Sequence, residues 1–120
     1  MGKFESFEEI NSWQKSRLFN KRIYEITESV SFKKDYDLVR QIRRASISIS
    51  SNIAEGFERN TDKEFIYFLY IAKASAGEVR SQLYLALDLN YITKEEFDEL
   101  FENVSNISKL ISGFIKYLNK

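Results

Sequence analysis

Apolar residues recur along this 120-residue chain in steps of three and four, and the steps group into four long stretches. The clearest is Phe65, Leu69, Ala72, Ala76, Val79, Leu83 and Ala86. A second follows the same rhythm through Phe97, Leu100, Val104, Ile107, Ile111, Phe114 and Leu118. Alternating steps of four and three keep one stripe turned toward a partner helix, the condition for left-handed bundle packing. Leu38, Ile42, Ala45, Ile49 and Ile53 form a third stripe, although residues 45–51 (ASISISS) also alternate as a strand would. Helix is the reading adopted, because no second strand exists to pair with. The first stretch, with Ile10, Trp13, Leu18, Phe19, Ile23, Tyr24 and Ile26, is apolar on several sides.

Start and stop signals bound these stretches. Ser6 with Glu9, Thr61 with Glu64 and Thr93 with Glu96 have capping-box spacing, and Asp35 or Asp37 can cap the second helix. Gly56 and Asn90 suit the left-handed residue that closes a helix. The pattern predicts helices over about 7–29, 37–55, 62–89 and 94–118, with a polar and aromatic loop over 30–36. Short connections between long helices imply antiparallel neighbours. The expected fold is all-α: one domain over residues 1–120, an antiparallel up-and-down four-helix bundle.

The third helix has more apolar surface than one bundle needs. Tyr67, Tyr70, Ile71, Ala74, Gly77, Ser81, Tyr84 and Leu85 share its far side. A helix apolar on two faces is covered twice. The small residues Ala74, Gly77 and Ser81 admit another helix at close range, so this face is expected to meet another subunit and to make the protein a homo-oligomer.

Composition narrows the chemistry. There is no Cys and no His, which removes disulfides, thiolate metal sites and the usual general base near neutral pH. There is no Pro and only four Gly, consistent with long uninterrupted helices. No ferritin-like Glu-x-x-His pair, Walker loop or dinucleotide fingerprint occurs. Ser48, Ser50 and Ser51 lack a His partner. The expectation is no enzyme activity, no metal, no cofactor and no small-molecule substrate. No apolar run approaches a bilayer span, and the first ten residues, with Glu5, Glu8 and Glu9, read against a signal peptide. A cytoplasmic protein with no membrane partner is expected.

Eighteen basic residues balance eighteen acidic ones, but they are segregated. From Asn11 to Ala54 there are nine bases and four acids. Lys15 and Lys21 on the first helix, and Arg40, Arg43 and Arg44 on the outer face of the second, are candidate phosphate contacts for RNA or DNA. A zero net charge weighs against general nucleic-acid binding, and a solvated face explains the same residues. Asn52, Glu55, Gly56, Arg59, Glu78 and Gln82 form a second polar set. They suit a structural network that fixes helix register, with Arg59 pairing Glu55.

Residues 41–59 read QIRRASISISSNIAEGFER, and FIYFLYIA (65–72), ASAGEVRSQL (74–83) and LNYI (89–92) accompany them. Together they resemble the bacterial 23S rRNA-intervening-sequence protein family, also called the four-helix bundle protein family, over nearly the whole chain. The resemblance implies a bundle that assembles into a ring, commonly a pentamer. It further implies kinship with the accessory variability determinant of diversity-generating retroelements, a basic pentamer thought to bind nucleic acid. Two departures stand out. Ser50 occupies a position where relatives often carry Pro, so no proline kink is imposed on the second helix. The neutral charge differs from the basic retroelement relatives.

The polar set makes a testable point. Asn52→Leu is expected to leave a helical chain whose oligomer is no longer unique; unchanged mass in solution and unchanged melting contradict a register role.

Overall fold

The computed structural model describes residues 4–119. A single 3-10 turn, Phe7–Glu9, leads into four helices: α1 Asn11–Thr27, α2 Tyr36–Phe57, α3 Asp62–Asp88 and α4 Lys94–Leu118. No strand occurs among the described residues, and residues 45–51 are helical. The molecule measures 45 × 20 × 19 Å, close to the ~40 Å length of the 27-residue α3 at 1.5 Å per residue.

The caps explain most boundaries. Thr93 and Glu96 form a complete box: the Glu96 N–H donates to Thr93 Oγ1, and the Thr93 N–H donates to Glu96 Oε1. Thr61 Oγ1 accepts the Glu64 N–H, and Asp35 Oδ1 accepts that of Leu38. Asn90 adopts φ 63°. Tyr91 N–H then bonds Ala86 O and Asn90 N–H bonds Leu87 O, the paired bonds of a Schellman closure.

Two expected caps fail, each for a packing reason. Ser6 makes no side-chain cap bond, and α1 starts only at Asn11. Glu9 Oε1 instead accepts the Glu5 N–H. The 3-10 turn followed by extended Ile10 buries Ile10 and sets Phe7 edge-on to Trp13 at 5.1 Å. Gly56 lies inside α2, which continues to Phe57. Its small size, rather than a left-handed turn, is what the fold uses. A Cβ there would stand 2.8 Å from Phe65 Cδ1 and from Phe68 Cβ, so glycine is what lets α3 cross close to α2.

Residue pairings give the order of contact. Asn20 meets Ser46 and Ser50, while Thr27 meets Arg43. Ser48 meets Ser75, and Gly56 lies against Phe65 and Phe68. Tyr84 packs on Phe97 and Phe101, whereas Phe65 packs on Phe114.

The three long stripes supply the core: every position of the α3 stripe is buried, as are Leu38, Ile42, Ala45, Ile49 and Ile53 of α2. On α4, Ile115 is buried, and Phe114 and Leu118 are only partly so. Phe32, in the loop between α1 and α2, is fully enclosed and stacks near Tyr91 at 5.2 Å.

Gly56→Ala is expected to destabilise the chain by about 1–3 kcal/mol through overpacking against Phe65 and Phe68. A denaturant midpoint equal to that of the wild type contradicts the close-crossing account.

Candidate functional site

Helix α2 carries the strand-like SISIS alternation, and winding it into a helix distributes the side chains in a definite way. Ser46 and Ser50 face α1, Ser48 and Asn52 face α3, Ile49 enters the core and Ile47 looks outward. Ser46 Oγ donates to Asn20 Oδ1 at 2.6 Å, and Asn20 Nδ2 donates to Ser50 Oγ at 3.0 Å. On the other flank, Ser75 Oγ donates to Ser48 Oγ at 2.9 Å, and Asn52 Nδ2 donates to the same oxygen at 2.9 Å and to Ser48 O at 2.8 Å. Asn52 is therefore half-buried on the α2–α3 flank.

The rest of the polar set divides. Arg59 stands 4.0 Å from Glu55 and lies over the Phe68 ring at 4.7 Å. Gln82 Nε2 donates to Glu78 Oε2 at 3.2 Å, leaving Gln82 Oε1 buried without a partner. These two pairs belong to different parts of the α2–α3 flank and do not converge on one pocket. Asn20 was not singled out in the sequence, although an Asn flanked by bases on a helix otherwise rich in apolar residues is a usable signal.

The basic candidates fall on separate surfaces. Arg40, Arg43 and Arg44 line one shallow groove with Tyr24, Ile47 and Ser48. Arg43 is the least free of the three. Its Nε donates to Thr27 Oγ1 at 2.9 Å, its Nη2 meets Glu28 Oε2 at 3.0 Å, and its guanidinium stacks on Tyr24 at 4.1 Å. Arg40 holds Asp37 at 3.1 Å with both side chains in solvent. Lys15 lines a different groove, between α1 and α4, with Leu18, Arg22, Glu99, Asn103 and Asn106. Lys21 is exposed on α1 and lines none of these grooves.

The predicted outer face of α3 is open. Tyr67, Tyr70, Tyr84 and Leu85 are 63%, 55%, 51% and 47% exposed, and Ala74 and Ser81 lie exposed between them. A Cβ on Gly77 would meet only Arg80 Nη2, at 3.9 Å, so the middle of this face has no covering atoms of its own. Ile71 is partly covered, and Tyr84 leans onto Phe97 and Phe101 at 5.0 and 5.5 Å.

Electrostatics tie the ends and the α1–α4 edge. Arg22 binds Glu99 bidentately, Nε to Oε2 at 2.8 Å and Nη2 to Oε1 at 3.0 Å. These hydrogen bonds hold the Glu99 carboxyl below its ordinary value and raise Arg22. At the loop end, Tyr91 Oη donates to Asp35 Oδ2 at 3.0 Å, which raises the Tyr91 phenol. Asp35 thus caps α2 and anchors the α3–α4 turn at once. Among the described residues, no group of three or more acidic side chains is arranged to hold a metal ion, and no helix is long and apolar enough to cross a membrane.

Because the folded Glu99 carboxyl is lowered, its contribution is present above the unfolded value and disappears as pH falls through the folded one. The pair is partly exposed, so its worth is about 0.5 kcal/mol. An NMR titration is expected to find the Glu99 midpoint below the ordinary glutamate range and to see it move up in Arg22→Gln. An unmoved midpoint contradicts the pairing.

Known proteins that share these features now bear on identity. No curated protein matches the chain. A crystal structure of a protein of unknown function from the S23 ribosomal protein family of Bacteroides thetaiotaomicron matches it with a TM-score of 0.82 and 31% identity, over 88% of this chain and 95% of that one. The family model described as 23S rRNA-intervening sequence protein matches residues 8–113. The chain, with its Asn-Ile-Ala-Glu-Gly segment crossing closely under α3, belongs to the 23S rRNA-intervening sequence protein family.

Proposed function

We propose that this chain is a non-enzymatic subunit: an antiparallel four-helix bundle that builds a homo-oligomeric ring, a pentamer, and serves as a cytoplasmic scaffold or interaction protein. The observation that carries the reading is the outer face of α3. Four large side chains, Tyr67, Tyr70, Tyr84 and Leu85, stand about half exposed along one helix, around a low strip of Ala74, Gly77 and Ser81. A contiguous apolar surface of this kind is the ordinary signature of a protein contact. Tyrosine is also among the residues enriched where interfaces are buried, since its ring is apolar and its hydroxyl tolerates a wet rim.

Pentameric closure and kinship with the retroelement accessory protein rest on the family resemblance. The non-enzymatic part rests on chemistry. Without His or Cys, a nucleophile would need activation from another source. The hydroxyls of Ser46, Ser48 and Ser50 are engaged in bonds between helices.

A second reading, nucleic-acid binding by the basic face, is favoured by one specific observation: Arg40, Arg43 and Arg44 line a common groove. Lys15 lies on another edge and does not join them.

Sedimentation at micromolar concentration is expected to give a multiple of the 14.2 kDa chain mass. Tyr70→Glu combined with Ala74→Arg is expected to give a single 14.2 kDa particle of unchanged helical content. A wild-type chain that sediments alone, or a double variant that stays assembled, contradicts the role given to this face.

A further inference from the structure

Three concave surfaces meet end to end along the outside of α2 and the loop before it. The groove bearing Arg40 and Arg44 shares Arg43 with a second one bearing Lys33 and Lys34. That second groove shares Lys34 and Tyr36 with a third, which reaches Asp35 and Tyr91. The result is a track made of three neighbouring concavities, each sharing a lining residue with the next, from Ile47 in α2 to Tyr91.

The track has a particular chemistry. Lys33, Lys34 and Arg44 are exposed and make no ion pair with described residues. Arg40 is held only by a solvent-exposed pair with Asp37, which a phosphate can displace because such pairs are weak. Tyr36 is 78% exposed at the first position of α2, with its ring in solvent between the two concavities. Further along, Ile47 adds an apolar spot. Tyr36, Arg40 and Arg44 stand four residues apart on one helix face, in steps of about 6 Å.

We propose that this track binds single-stranded nucleic acid, with Tyr36 as a stacking platform for one base and Lys33, Lys34, Arg40 and Arg44 as phosphate contacts. The proposal deepens the basic-face reading and rests on it. A positive groove interrupted by an open aromatic ring is the combination that single strands use, because every unpaired base has a π-face and a duplex hides it. An acidic peptide gains from the charges and has no use for the ring. Of the acids along the path, Glu28 is held by Arg43 and Asp35 by Leu38 N–H and Tyr91, while Asp37 is the one that a phosphate on Arg40 leaves unpaired, in solvent.

The test uses the full chain and fluorescence anisotropy with labelled ten-nucleotide oligouridine, the same length of oligothymidine, and an RNA duplex, at low and at physiological salt. Both single strands are expected to bind more tightly than the duplex and to weaken steeply with salt. Tyr36→Ala is expected to weaken single-strand binding about tenfold and leave the duplex unchanged, while Tyr36→Phe restores it. Arg44→Ala is expected to reduce the salt slope by about one. Single strands that bind while Tyr36→Ala binds them equally well overturn the stacking platform and leave the basic face standing. Displacement by polyglutamate at equal charge concentration overturns nucleic-acid selectivity. Absence of any binding at low salt overturns the basic-face reading itself.

Discussion

Helix α2 is gripped on both flanks by side chains short enough to let its neighbours come close. Asn20 joins Ser46 and Ser50 on one side, Ser75 and Asn52 meet at Ser48 on the other, and Gly56 removes the Cβ that would hold α3 away. Hydrogen bonds of this kind are directional, whereas the apolar contacts of Ile42, Ile49 and Ile53 are not. The core supplies the driving force for collapse, and the serine and asparagine pairs choose one rotation of α2 within it. A helix turned by one residue, about 100°, would carry Ser46 and Ser48 away from their partners.

That choice sets both outer surfaces. With Ile49 inward, Tyr36, Arg40, Arg44 and Ile47 must look outward. With Ser75 turned to α2 and the stripe from Phe65 to Ala86 buried, the opposite side of α3 is left largely open, apart from Tyr84 leaning onto α4. The aromatic strip of α3 and the basic track of α2 are therefore consequences of one internal registration.

Much of the architecture was legible because it is periodic and local. Stripes at steps of three and four marked the buried positions of α2 and α3, and of α4 as far as Ile111, and the Thr93 cap and the Asn90 closure are encoded within a few residues. What escaped depends on contacts between one element and another. Ser6 and Glu9 have capping-box spacing, yet Phe7 and Ile10 are drawn toward Trp13 and the core, and a 3-10 turn forms instead. Gly56 sits where a terminator is expected, and only the arrival of Phe65 and Phe68 reveals its purpose. Arg43 looked like its neighbours Arg40 and Arg44 until Tyr24, Thr27 and Glu28 met it from α1. Asn20 has a signal in the sequence, but its partners Ser46 and Ser50 are set by how α2 lies beside it.

The registration of α2 can be measured directly by a double-mutant cycle. Unfolding free energies of Asn20→Ala, Ser46→Ala and the pair are expected to reveal a coupling of about 1 kcal/mol, the worth of a well-formed, partly buried hydrogen bond between facing helices. Strictly additive losses, with no coupling between Asn20 and Ser46, would contradict the claim that these polar contacts select how α2 is seated.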